Sequence, residues 1–310
     1  MTRLGAELPY SRAAETYSEL TGVWVSAKSA EGITKRNGQA LGKVLAQERA
    51  WALAEDIEVR GTKGEEKRGR WGVSVDGTTI LTREGWKEVK VGAVFRFERG
   101  VEGEVKAREL SYCAGLWKPE EVGEALWAET RRRGIDTVQE DVAVGIGDGA
   151  AWIWKQMHLH YPQAEQIVDW YHAAERVWGV GQAVYGQGSE KAREWVEGQL
   201  RALWEGGARG VREEIRRLRP RRTEAREAVR EAKVYFTNQE TRMQYARFRE
   251  EGYPLGSGSV ESACKTLVGA RLKRGGMRWS DKGAEAVLNL RSELLSHRWN
   301  EAWMRLRQFT

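Results

Sequence analysis

The chain has 310 residues, 41% hydrophobic and 31% charged, with a formal net charge of +6, which excludes a disordered chain and suits a polyanionic partner. No apolar run approaches the roughly 20 residues of a membrane span, and the opening MTRLGAELPY lacks the apolar stretch of a signal peptide. Two cysteines, Cys113 and Cys264, make neither a CxxC pair nor a disulfide framework, so a reducing cytoplasm is expected and a cysteine-built zinc site is not.

The first predicted element is a helix. SRAAETYSELTG puts Ala13, Ala14, Tyr17 and Leu20 on one face, and Gly22 ends it. After VWVS, Ser26 can cap a second helix that runs to about Leu41. This unit, residues 1–57, fits a helix-turn-helix and an ordinary helical hairpin equally well. The polar, glycine-rich EVRGTKGEEKRGR over residues 58–70 reads as a linker.

The periodicity then changes from helical to alternating. WGVSVDG reads as a strand ending at Asp76, GWKEVKVGAVFRFERG as a second strand and KARELSYCAGL as a third. PEEVGEALWAETRRRG is an amphipathic helix opened by a proline. VAVGIGDGA is a fourth strand ending at Asp148, AAWIWKQMHLHYP a helix, and AEQIVDWYHA a fifth strand leading into a helix. Three meandering strands followed by alternating units predict a mixed sheet covered by helices, an α/β arrangement of the ribonuclease-H-like kind. Residues 71–179 form the first part of this expected core, residues 180–252 an all-α insertion, and residues 253–310 the final helices. The insertion mixes charges of both signs, as a solvated helical face does, with a more basic patch at Arg216, Arg217, Arg219, Arg221 and Arg222. Most of the fifteen tryptophans read as packing anchors.

Three acids carry the chemistry. Asp76 and Asp148 are each followed by glycine at an expected strand end, where sites gather in open α/β sheets. Two close carboxylates repel one another unless a cation joins them, and Mg2+ is a hard ion that takes oxygen ligands. Two such ions about 4 Å apart stabilise both oxygens of a phosphodiester displacement, and the second needs a third acid. Glu261 supplies it, in the first turn of a helix that Ser257 or Ser259 can cap. Asp169 and His172 stand three apart after the fifth strand and read as a pair beside the metals, as a surface turn, or as a buried, hydrogen-bonded pair. His158 and His160 read as structural.

The stretches VSVDGTTILTREGWKEVKVGAVF, IGDGAAWIWKQM, IVDWYHAAERVW and YPLGSGSVESACKTLVGARLKRGGMRWS together resemble a bacterial insertion-sequence transposase of the DDE class. The closest likeness is to the ISKra-type group, related to Mutator-like transposases, and it runs from about Leu8 to Trp299. The resemblance implies that Asp76, Asp148 and Glu261 are the DDE triad and metal ligands. It implies that Asp169 and His172 are the C/D(2)H motif, and that the N-terminal unit is the helix-turn-helix. Such relatives carry more chain ahead of that unit, so part of the end-recognition surface is expected to be missing.

The expected activity is metal-dependent cleavage at insertion-sequence ends and strand transfer to target DNA. The expected cofactor is two Mg2+ ions, with Mn2+ as a substitute. The expected partner is double-stranded DNA, transposon ends and target, bound by a homodimer in a nucleoid-associated, cytoplasmic setting. Arg271, Lys273, Arg274 and Arg278 are expected to hold phosphates, and Trp279 to stack on a base or pack in the core. Two rivals stand beside this: a DNA-binding regulator of transposition without activity, and a ribonuclease-H-like nuclease without strand transfer.

Overall fold

The computed structural model describes residues 1–54, 70–100, 103–135 and 142–308. The linker expected over residues 58–70 therefore lies, apart from Arg70, outside the described residues.

Five strands form one mixed sheet: β1 (Arg70–Thr82), β2 (Gly85–Arg99), β3 (Val105–Gly115), β4 (Val142–Gly147) and β5 (Glu165–Val168), in the spatial order β3-β2-β1-β4-β5. β1 to β3 make an antiparallel meander, and β4 and β5 add in parallel. The parallel crossovers run through α4 (Pro119–Arg132) and α5 (Ala151–His160). The sheet is thus α/β and mixed, with the elements in the expected order.

The two sheet faces bury different partners. Trp71, Val73, Val75, Phe95 and Phe97 pack with α4, with α5 and with α6 (Trp170–Tyr185). That core continues without a break into α7 (Glu190–Gly206), α8 (Ala208–Arg217), α9 (Thr223–Asn238) and α10 (Tyr245–Glu250). The helical insertion is therefore an extension of the main core, and α6 runs through the boundary expected at residue 180. On the other face Ile80, Val89, Val91 and Ala93 meet α11 (Gly258–Ala263), the π-helical segment Cys264–Gly269, α12 (Ala270–Leu272) and α13 (Asp281–Leu295).

At the N-terminus, α1 (Thr2–Glu7) precedes α2 (Tyr10–Thr21) and α3 (Ala27–Leu53). Gly22 ends α2 in the left-handed conformation, and Ser26 caps α3 by accepting from Ser29 N. α3 is longer than the predicted helix because its buried stripe Ala30, Thr34, Gly38, Leu41 and Val44 lies along α13. The approach is close: a side chain at Gly38 would stand 2.2 Å from the Ala286 carbonyl oxygen. A last helix, α14 (Trp299–Gln308), packs on α3 and α13. Among the described residues no helix is long and apolar enough to cross a membrane.

Candidate active site

Strand register brings the aspartates together. Ser74 lies opposite Ile146 in the parallel pairing of β1 with β4, so two residues further along both chains Asp76 stands abreast of Asp148. Gly147 lies opposite Val168, and Asp169 N donates to Gly147 O at 2.8 Å, so Asp169 comes abreast of Asp148 in turn. With neighbouring strands ~4.8 Å apart, the three acids form a row about 10 Å long.

The two glycines after the acids play different parts. Asp76 was expected at a strand end, but β1 continues to Thr82 because it forms a hairpin with β2, with Thr82 opposite Gly85. Gly77 is ordinary strand. What ends beside Asp76 is its parallel neighbour, since β4 stops at Gly147. Gly149 does need to be glycine: its φ is +102°, and a Cβ there would stand 2.7 Å from the Tyr235 ring. Tyr235 Oη donates to Asp148 O at 3.0 Å and Gln239 Nε2 to Gly149 O at 2.8 Å. The end of α9 thereby holds the turn that presents Asp148.

Glu261 enters the site from the opposite face. Ser74 Oγ and Ser259 Oγ stand 3.4 Å apart and dock α11 on β1. Ser257 occupies the N-cap position of α11 but makes no capping bond. Its hydroxyl donates instead to Glu261 Oε1 at 3.1 Å, and its backbone N–H donates to Asp169 Oδ2. Asp169 is completely buried. Its other oxygen accepts from His172 N at 3.0 Å and stands 3.3 Å from His172 Nδ1. Asp169 therefore caps α6 and fastens the start of the Glu261 helix. Asp169, His172 and Glu261 each offer one donor atom, all within 4.8 Å of one another.

Charge is unbalanced here. Among the described residues no lysine, arginine or histidine pairs with Asp76, Asp148 or Glu261, and the one ion pair of the cluster is His172 with Asp169. The hydrogen bond with Asp169, helped by the fields of Asp169, Asp148 and Asp76, pushes His172 up to about 9 against the effect of burial. Burial works to raise the Asp169 carboxyl, but the hydrogen bonds from His172 and Ser257 outweigh it and hold it below its ordinary value. Cys264 Sγ lies 3.5 Å from Asp76 Oδ2. Burial first, then the negative field of Asp76 and Glu261, raises its thiol and keeps it protonated.

The basic turn after Glu261 divides in two. Arg271 was expected on DNA and Trp279 on a base or in the core; the structure buries both, at 1% and 5% exposure, so Trp279 takes the core alternative. Arg271 donates through Nε and Nη2 to Gly5 O at 3.2 and 3.1 Å and lies between the rings of Tyr10 and Trp279. Trp279 Nε1 donates to Leu272 O at 3.1 Å. These two side chains fasten α1 and α2 to the sheet and are not free to meet a ligand. Lys273, Arg274 and Arg278 are exposed, and Lys273 Nζ reaches Thr78 Oγ1, two residues past Asp76.

Sequence reasoning missed Tyr235 and Gln239 as supports of Asp148; their spacing of four on a helix was the available signal. It also missed Cys264 beside Asp76.

No protein-family model matches the chain, and no curated protein matches it.

Proposed function

We propose that the protein is a DDE-class DNA transposase whose triad is Asp76, Asp148 and Glu261, on a sheet of ribonuclease-H-like design. The observation that carries this reading is that Asp76, Asp148 and Asp169 stand abreast on neighbouring strands and Glu261 comes within 4.8 Å of Asp169 and His172, while among the described residues no ion pair is made by Asp76, Asp148 or Glu261. Uncompensated carboxylates with oxygen-only donors fit a hard divalent cation. Asp76, Asp148 and Glu261 would hold Mg2+, or Mn2+ in its place. When bound, two such ions supply an activated water and stabilise the leaving oxygen of a phosphodiester.

The chain's own residues position and balance. Asp169 and Ser257 fix where the Glu261 carboxylate stands. Tyr235 and Gln239 fix the Asp148 turn. His172, protonated at neutral pH, offsets part of the negative charge. Lys273, Arg274 and Arg278 face solvent on the turn after Glu261, where they can hold phosphates of duplex DNA. The α2–α3 unit serves as the helix-turn-helix for the element ends. Cutting two ends together calls for a homodimer on DNA, and a DNA substrate calls for a nucleoid-associated, cytoplasmic setting.

The test is metal-dependent cutting by the full chain. Mg2+ or Mn2+ is expected to support cleavage and joining of a 3′ end to a new strand, and Glu261→Gln to lose this at least about a thousand-fold with DNA affinity kept. A Glu261→Gln chain that cuts at the parental rate removes the triad. Binding without cutting under any divalent ion favours a DNA-binding regulator, and cutting without joining favours a nuclease.

A further inference from the structure

The turn between α8 and α9 reads Arg216-Arg217-Leu218-Arg219-Pro220-Arg221-Arg222, five arginines in seven positions with no acid. Elsewhere on the insertion, Arg212 pairs with Glu240 and Arg230 with Glu227, while Arg193, Arg201 and Arg226 are exposed without an ion pair among the described residues but are spaced singly along their helices. In this turn only Arg217 pairs, with Glu214. Arg216, Arg219, Arg221 and Arg222 are exposed and pair with no carboxylate among the described residues. The acids nearest in sequence are Glu213, Glu214 and Glu224. Backbone carbonyls shape the turn instead. Arg219 Nη1 donates to Leu218 O at 3.0 Å, Arg226 Nε to Pro220 O at 3.3 Å, and Arg222 Nη2 to Ala183 O at 3.0 Å. A guanidinium has five donors, so each of these arginines keeps most of its fork for a ligand. Planar forks on a segregated positive surface suit phosphate.

Two helices measure how far this turn lies from the carboxylates. α9 begins just after Arg222 and reaches the Asp148 turn through Tyr235; thirteen residues at 1.5 Å each span about 20 Å. α6 is capped by Asp169 and meets the turn at Ala183; fourteen residues span about 21 Å. Duplex DNA advances 3.4 Å per base pair, so 20 Å is about six base pairs.

We propose that the Arg216–Arg222 turn binds the phosphate backbone of duplex DNA about six base pairs from the phosphate held at Asp76, Asp148 and Glu261. This rests on reading that cluster as the DNA-cutting site. The turn gives sequence-independent affinity and fixes the direction in which DNA leaves the site.

Salt titration of duplex binding by the full chain, against Arg219→Ala/Arg221→Ala, tests it. The dependence of log affinity on log salt is expected to flatten by about two, roughly one unit for each phosphate that is no longer neutralised. The Arg219→Lys/Arg221→Lys chain should retain most of the slope. On a duplex that the parent cuts, the alanine variant should lose backbone protection about six base pairs from the cut. Equal slopes in parent and alanine variant overturn the proposal and leave the cutting site standing. A flattened slope seen with duplex RNA and not with DNA overturns the assignment to DNA. A parent that binds with the expected slope but cuts nothing removes the cutting site and keeps the turn as a DNA surface. A parent with no salt-dependent duplex binding overturns both.

Discussion

Two clusters of charge in this molecule are built on opposite plans. One joins α3, α4, α13 and α14: Glu48, Glu129 and Glu293 interlock with Arg132, Arg298 and Arg305. There, three carboxylates meet three guanidinium groups. The other brings Asp169, His172 and Glu261 within 4.8 Å of one another, with Asp76 and Asp148 near enough for their fields to act on His172. The first is electrically closed and ties helices together; in the second, among the described residues, only His172 forms an ion pair, with Asp169. Burial of charge therefore says little about function until its compensation is counted.

Breaking the closed cluster is expected to have the largest effect on stability. Glu293 is 1% exposed and meets three arginines. Glu293→Gln leaves guanidinium charge unmatched, and a loss of about 3–5 kcal/mol is expected in denaturant unfolding.

Acid probes the same cluster more gently. Burial works to raise Glu293 and Glu129, yet the neighbouring arginines outweigh it and hold both below the ordinary carboxylate value. Their contribution is present above the unfolded-state value of about 4.3 and is lost as pH falls through the depressed folded values. Stability is expected to drop below about pH 4, and the drop should be shallower in Glu293→Gln. An equal drop in both chains would show that other groups govern it.

The long-range partners in both clusters explain what the sequence did and did not disclose. Alternation and valine marked β1, a short apolar run that ends in glycine marked β4, and the order of strands and helices followed. Asp76 was misplaced at a strand end because a DG pair imitates a turn, while the hairpin partner that keeps β1 going lies on β2. RLKRGGMRWS looks like a solvated basic turn. The burial of Arg271 depends on Gly5 O, 266 residues away, and no local pattern encodes that. Asp169 was legible as a residue of interest, but its bond to Ser257 N, 88 residues on, was not.

Smaller changes sharpen the contrast at the open cluster. Ser257→Ala removes one donor from Glu261, and a stability loss of about 0.5–1.5 kcal/mol is expected; on the proposed function it should also raise the Mg2+ concentration needed for half-maximal cutting. Asp76→Asn is expected to change stability least, within about 1 kcal/mol and toward greater stability, because it relieves repulsion among unmatched carboxylates. A large destabilisation by Asp76→Asn in metal-free unfolding experiments would mean that the cluster is closed after all.

The docking of α11 onto β1 through Ser74 and Ser259, 185 residues apart, also sets a clock. At 5–20 residues per second, roughly 10–40 s separate the synthesis of these two positions. Through that interval Ile80, Val89, Val91 and Ala93 wait on an unfinished sheet face for the helices that cover them. Glu261 and the helices that cover this face therefore emerge in the same stretch of translation. A chain interrupted before Glu261 leaves that apolar face bare and lacks this carboxylate.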